Sequence, residues 1–192
     1  MHNYDTLTFP FGYEAIRIAT ESLGFTMPSD IKTCSFLKTL ATSKRHSKFL
    51  ELGTGTGLST SWILSGMDKY STLTSIDYDD ILLSIAHDNL GADARLTLVS
   101  SDCEDWIHEN EKLRFDYIFA DTWHGKYLLL DEVLAMLNPG GIYIVDDMLP
   151  QDNWPEGHAE KAALLTKTLS ERNDLCITKL NWATGIIFAV KI

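Results

Sequence analysis

Lys48-Phe49-Leu50-Glu51-Leu52-Gly53-Thr54-Gly55-Thr56-Gly57-Leu58-Ser59 is the stretch that decides the fold of this 192-residue chain. An apolar run ends in three glycines spaced one residue apart, after which apolar and hydroxyl residues resume. That order of strand, tight turn and helix start opens a βαβ unit. The alternation continues downstream. Apolar runs at 48–53, 72–77, 95–100, 115–121 and 141–147 are separated by segments with helical periodicity. Ile81, Ile85 and Leu90 fit one face of the second crossover. Leu130, Val133, Leu134 and Leu137 fit the fourth, which Asn138-Pro139-Gly140 closes as a helix stop. Two late runs, 175–180 and 185–191, have only Asn181-Trp182-Ala183-Thr184 between them and so form an antiparallel hairpin. Ahead of the first strand, 12–24 and 29–40 read as helices, with Ile31, Cys34, Leu37 and Leu40 on one face of the second. The expected fold is α/β. It is a single domain over 1–192, with one open sheet of seven strands, five of them parallel, and a helical N-terminal appendage over 1–44.

Composition narrows the class. A hydrophobic share of 45% with 12 Gly and 5 Pro is that of an ordinary globular chain, which excludes disordered and collagen-like alternatives. Sixteen Lys and Arg against 27 Asp and Glu give a net charge of −11. Affinity for nucleic acid comes from neutralising phosphates, so no nucleic-acid partner is expected, and an anionic membrane surface is disfavoured too. Cys34, Cys103 and Cys176 are odd in number, far apart and in no CxxC pair. They read as reduced buried residues of a cytoplasmic protein, not as a disulfide or a zinc site. The opening residues lack a basic segment followed by an apolar one, so no secretory leader is expected.

In an open α/β sheet the ligand sits beyond the carboxyl ends of the strands, which directs attention to the glycine loop. Its pattern is G-x-G-x-G. A dinucleotide fingerprint, G-x-G-x-x-G, would need its last glycine where Leu58 stands. Glu51 at the root of the loop would repel a pyrophosphate and suit an ammonium group, so S-adenosylmethionine fits better than a nicotinamide dinucleotide. Gly53, Thr54, Gly55, Gly57 and Ser59 are the expected cradle. Asp77, twenty residues after Gly57, is placed to accept hydrogen bonds from both ribose hydroxyls. Tyr78 is expected against the adenine face, and Asp102 and Cys103 near its edge.

These residues resemble the class I S-adenosylmethionine-dependent methyltransferases over nearly the whole chain from Lys48 onward. The resemblance implies a Rossmann-like sheet of order 3-2-1-4-5-7-6 with the last strand antiparallel. It also implies that the glycine loop holds the methionine portion and that Asp77 takes the ribose.

Acids end the fourth and fifth strands: Asp121 in Phe119-Ala120-Asp121-Thr122-Trp123-His124, and Asp146-Asp147. Three carboxylates converging at one sheet edge would repel one another unless a cation lay among them, and an all-oxygen set suits Mg²⁺, with Mn²⁺ or Ca²⁺ as other choices. The pattern is similar to that of the catechol and caffeoyl-CoA O-methyltransferases. That resemblance implies metal binding by Asp121, Asp146 and Asp147, the last standing where the family has Asn. It implies an acceptor wall at Trp123, joined here by Trp154. It also implies a general base at the position of His124, where the family has Lys; an imidazole with a pKa near ~6.5 suits that role. Lys126 falls two positions too late.

The leading expectation is metal-assisted O-methylation of a small-molecule hydroxyl, catechol-like or otherwise bearing vicinal oxygens. Two readings compete with it: a metal-independent methyltransferase using His124 as base, and a non-catalytic S-adenosylmethionine-binding protein. The N-terminal helices could also form a homodimer interface.

Overall fold

The computed structural model describes residues 8–151 and 154–192. The first seven residues, on which the expectation of no leader rests, lie outside this range, as do Asp152 and Asn153 beside Trp154.

Helices α1 (Tyr13–Leu23) and α2 (Ile31–Ser43) precede β1 (Lys48–Leu52), α3 (Leu58–Gly66), β2 (Thr72–Asp77), α4 (Asp80–Leu90) and β3 (Leu96–Ser100). Then follow α5 (Cys103–Glu109), β4 (Phe115–Ala120), α6 (Leu130–Ala135), β5 (Leu137–Val145), α7 (His158–Ser170), β6 (Leu175–Leu180) and β7 (Ile186–Lys191). The seven strands lie in the order β3-β2-β1-β4-β5-β7-β6, as the resemblance implies. β7 runs antiparallel to both β5 and β6, so β6 shares the direction of the first five strands. Among the described residues no helix is long and apolar enough to cross a membrane.

Alternation along the central strands sends side chains to two cores. Leu50, Leu52, Ile118, Ala120, Tyr143 and Val145 pack with α5, α6 and α7. Phe49, Leu73, Tyr117, Phe119 and Ile144 face the other way and pack with Ile16 of α1, Leu37 and Ala41 of α2, and Ile63 of α3. The N-terminal helices therefore form part of a covering layer on the sheet. Both faces being covered is why the strands read as nearly continuous apolar runs.

Four details differ from the sequence reading. In α4 the buried side chains are Leu83, Ala86 and Leu90, while Ile81 is 64% exposed. The helix starts at Asp79, whose carboxylate accepts from the amides of Ile81 and Leu82, and this start turns Ile81 outward. Helix α2 buries Cys34 and Leu37 as expected, adds Thr33 and Ala41, and leaves Ile31 and Leu40 half-buried at the margin of that face. The fourth crossover helix ends at Ala135, and Leu137 already pairs with Phe115 in the sheet. Asn138-Pro139-Gly140 is thus no helix stop. It lies in an irregular stretch of β5 opposite Asp116, between the Phe115–Leu137 and Tyr117–Ile142 pairs, where Pro139 owes no ladder hydrogen bond. Of the free cysteines, Cys34 and Cys103 are buried but Cys176 is exposed, because it points outward from the edge strand β6.

Gly66 ends α3 against α2, and a Cβ there would lie 2.3 Å from the Lys38 carbonyl oxygen. Alanine is favoured over glycine in a helix by about 1 kcal/mol. The clash is expected to outweigh that gain, so Gly66→Ala should lose roughly 1–3 kcal/mol. A urea midpoint equal to or above that of the parent chain would show that the α2–α3 contact yields freely.

Candidate functional site

Register brings the site together. Leu52 pairs with Ala120, and Ala120 with Val145, so Gly53, Asp121 and Asp146 emerge side by side at the carboxyl edge. The amide of Asp121 donates to Leu52 O at 2.9 Å. Gly53 has φ +99°, and a Cβ on it would stand 2.9 Å from the Asp121 carbonyl oxygen, so only glycine lets the loop pass this close to β4. Its amide and that of Thr54 donate to Ile76 O. Gly57, at φ +92°, caps α3 where a Cβ would meet Ala86 of α4 at 2.9 Å.

Asp77 meets this loop directly. Its Oδ2 accepts from the Gly55 amide at 2.8 Å and its Oδ1 from the Asp79 amide at 3.0 Å. The N-terminal layer covers the same loop. The Phe25 ring lies 3.7 Å from where a Gly55 Cβ would be, and the hydroxyls of Thr20 and Thr56 are 2.8 Å apart.

Glu51 takes a different place from the one its position suggests. It points to the α3 side of the sheet and is fully buried. Its Oε1 accepts from Ser59 at 2.7 Å, and its Oε2 accepts from Thr60 and Ser75 at 2.6 Å each. Burial pushes its pKa up to about 7, against the three hydroxyls and with added repulsion from Asp77. The carboxylate is thus a clamp beneath the loop, and Ser59, expected in the cradle, serves the clamp. Thr54 joins it through a 2.6 Å contact with Ser75 Oγ.

Along the rim Tyr78 stands 76% exposed. The Asp102 carboxylate caps α5, accepting from the Glu104 amide at 2.7 Å. Cys103 is buried beside it, and burial together with Asp77 and Asp102 pushes its thiol up to about 12.

On the acceptor side Asp121 Oδ2 accepts from Ser29 Oγ at 2.9 Å. Asp146, 2% exposed, accepts through Oδ1 from Thr184 Oγ1 at 2.6 Å and from the Asp147 amide at 2.8 Å. Burial pushes Asp121 up to about 7, with Asp146 and Asp147 adding repulsion while Lys126 and Ser29 oppose them. Asp146 is raised as well, chiefly by burial. Asp147 sits at φ +57°, a left-handed conformation that Asn and Asp tolerate best, which makes Asp a conservative occupant of an Asn position.

Two expectations about this cluster are corrected by the geometry. Asp121, Asp146 and Asp147 do not converge on one point. The one trio of metal-ligating types with ligand atoms within 4.8 Å, among the described residues, is Asp102, Glu104 and His124. Ser29 and Thr184 each claim an oxygen of the two buried acids. His124 is turned toward α5, with Nε2 3.7 Å from Glu104 Oε2. Lys126 reaches the acids in its place. Its side chain is buried and Nζ donates to the Asp146 carbonyl oxygen at 2.7 Å. The turn after Trp123, in which the amides of Lys126 and Tyr127 both donate to Trp123 O, swings Lys126 inward.

Beyond the acids Trp123 and Trp154 share a cluster with Tyr127 and His158. Ring centroids of Trp154 and His158 are 4.5 Å apart, and those of Trp123 and Tyr127 are 6.0 Å apart. Sequence reasoning missed Ser29, Lys126, Tyr127, His158 and Thr184. Only Lys126 carried a signal, its closeness to Trp123.

A family model described as a methyltransferase domain matches residues 50–148. A curated relative from Mycobacterium avium (strain 104), described provisionally as an O-methyltransferase, is 28% identical over 102 residues. That match covers 50% of this chain and 45% of the relative, so the chain spans less than half of its length. Among solved structures, the O-methyltransferase from Bacillus cereus in complex with SAH superposes with a TM-score of 0.84 at 18% identity, covering 97% of this chain and 93% of its own. The O-methyltransferase TomG from Streptomyces achromogenes, in complex with SAM, gives 0.81 at 17% identity, with 97% and 92% covered. At such identities the likeness is one of fold.

The Glu51 clamp has a pH signature. Between pH 4.5, the ordinary value, and about 7, the folded protein holds a proton that the unfolded chain releases. Stability should therefore fall as pH rises through that window, by on the order of 3 kcal/mol for this group. Glu51→Gln should flatten that part of the profile in denaturant titrations at stepped pH. An unchanged slope would show that Glu51 is already ionised in the folded chain.

Proposed function

The chain belongs to the methyltransferase-domain family, and from that premise we propose that it moves a methyl group from S-adenosylmethionine to a hydroxyl oxygen of a small molecule, with a divalent cation assisting. The observation that carries this reading is the contact between Asp77 and the glycine loop at the carboxyl edge. There a nucleoside ribose would exchange its hydroxyls for the Gly55 amide on the carboxylate, while Gly53 and Gly57 hold the loop close against β4 and α4.

Methyl transfer is a displacement at carbon, so alignment and a deprotonated acceptor are what the protein must supply. Asp121 and Asp146 would present the reacting oxygen to the methyl group. Burial raises both acids, with repulsion from neighbouring carboxylates added, and oxygen donors of this kind would suit Mg²⁺ or Mn²⁺. Bound there, the cation would lower the acceptor's pKa. The value of about 7 for Asp121 belongs to the cation-free site; a bound cation would lower it, so the proton that leaves the acceptor would pass to solvent. His124 Nε2 lies 3.7 Å from Glu104 Oε2, which turns the ring toward α5 and favours this scheme over one with His124 as the sole base. The net charge of −11 supports a small-molecule acceptor over nucleic acid.

Thermal-shift titration separates the parts, because each ligand that binds the folded state raises its stability independently. S-adenosylhomocysteine should stabilise the parent chain. Asp77→Ala should abolish that shift, whereas Asp146→Ala should abolish only the shift given by Mg²⁺ or Mn²⁺. Undiminished methyl transfer to catechol in excess chelator would remove the cation from the scheme. Nucleoside binding with no transfer to any hydroxyl compound would favour the non-catalytic reading.

A further inference from the structure

His158 opens α7, and its ring faces the aromatic cluster beside the acids. Its Nε2 lies 3.1 Å from the Tyr127 hydroxyl, and its Nδ1 is buried with no hydrogen-bond partner. Burial, with the ammonium groups of Lys126 and Lys161, holds the imidazole below its usual pKa, and only Asp147 opposes them. The ring is therefore neutral at neutral pH. The Tyr127 phenol, pushed up to about 12 mainly by burial, keeps its proton. In the tautomer whose Nε2 accepts that proton, the imidazole's own proton stands on Nδ1, a buried donor that meets no acceptor. Such a group is costly to leave unpaired, and an oxygen arriving there would relieve the cost.

The surroundings say which oxygen. Trp154 lies 4.5 Å from the His158 ring by centroids and Trp123 lies 6.4 Å away, which forms a wall suited to a flat aromatic ring. Lys161 Nζ stands 3.8 Å from the centroid of the Trp123 ring. The charged groups facing His158 are thus two cations and one anion, a local positive surplus in a chain whose net charge is −11. A ligand that fits has an aromatic body and a negative end.

Resting on the methyltransferase reading, we propose that the acceptor is an aromatic hydroxyl compound carrying a carboxylate. Trp123 and Trp154 grip its ring, and the carboxylate accepts from His158 Nδ1 and pairs with the Lys161 ammonium. Such a hydrogen bond to an ionised acceptor is among the stronger kinds.

The test uses the full chain loaded with S-adenosylhomocysteine and titrated calorimetrically with protocatechuate, catechol and dopamine, which share a ring and differ in charge. Protocatechuate should bind about tenfold more tightly than catechol, and dopamine more weakly than either. His158→Phe keeps a ring but removes the donor. Lys161→Gln changes only an exposed side chain, so it tests the same point if the first variant fails to fold. Each should weaken protocatechuate much more than catechol, so that the two affinities come together, and leave nucleoside binding unchanged. In turnover the loss should fall on KM, with kcat nearly constant. Equal binding of catechol and protocatechuate by the parent chain, or equal weakening of both by the variants, would overturn the inference. Carboxylate-selective binding without methyl transfer would instead overturn the parent reading and leave this pocket standing.

Discussion

A buried carboxylate holds the site in register. Glu51 accepts hydroxyl hydrogen bonds from Ser59 and Thr60 of α3 and from Ser75 of β2, so one side chain ties together three consecutive elements. Those elements flank the glycine loop. Were the clamp absent, the loop would still have its positive-φ glycines and its backbone bonds to Ile76 O, but α3 would lose its side-chain tie to the end of β2. The Gly55–Asp77 contact depends on that fixed spacing, since Asp77 ends the strand that carries Ser75. Burying an acid this completely is costly unless it is fully hydrogen-bonded, and three short bonds supply the partners. The raised pKa of Glu51 shows that a residual cost remains.

The same economy of charge governs the acceptor side, with a different outcome. There Asp121 and Asp146 are also buried, but each keeps only part of its hydrogen-bonding capacity occupied by Ser29, Thr184 and the chain itself. One lysine lowers the cost of charge on Asp121, and its ammonium is fixed on the Asp146 backbone oxygen. Charge satisfied inside the protein makes a structural clamp at Glu51. Charge left partly unsatisfied makes a site able to respond to what enters it. Two buried acid clusters on one sheet thus take opposite roles through the number of donors each was given.

What could be read in the sequence was what is local in the chain. The strand–turn–helix at Lys48–Ser59 and the alternation of strands and helices depend on period and on glycine spacing, both visible in a short window, whereas the order of the strands came only from the family resemblance. The contact between Asp77 and the glycine loop likewise follows from positions at neighbouring strand ends. The direction of the Glu51 side chain was not legible, because it depends on which face of β1 meets α3. Nor was the swap between His124 and Lys126, which a turn of hydrogen bonds on Trp123 O produces. Ser29 lies 92 residues from Asp121, and Thr184 lies 38 from Asp146, so no motif window could have joined them. The helix stop read at Asn138-Pro139-Gly140 failed for a related reason: pairing of Leu137 with Phe115 overrode a local preference.

This division has a consequence for how such a site can change. The cradle at the carboxyl edge is built from contiguous residues whose geometry is set by glycines that admit no side chain and by a buried clamp. Substitution there disturbs the fold and the site together. The acceptor side is assembled from separate segments, with Ser29 entering from ahead of α2, Lys126 and Tyr127 from the β4–α6 connection, His158 from α7 and Thr184 from the β6–β7 turn. Each contributes one or two side chains from a connection or a helix end, where replacement disturbs little packing. The part of the molecule that would hold the nucleoside is therefore constrained by folding itself. The part that would choose the acceptor is tied to the fold by fewer contacts, so a substitution there bears on the site more than on folding.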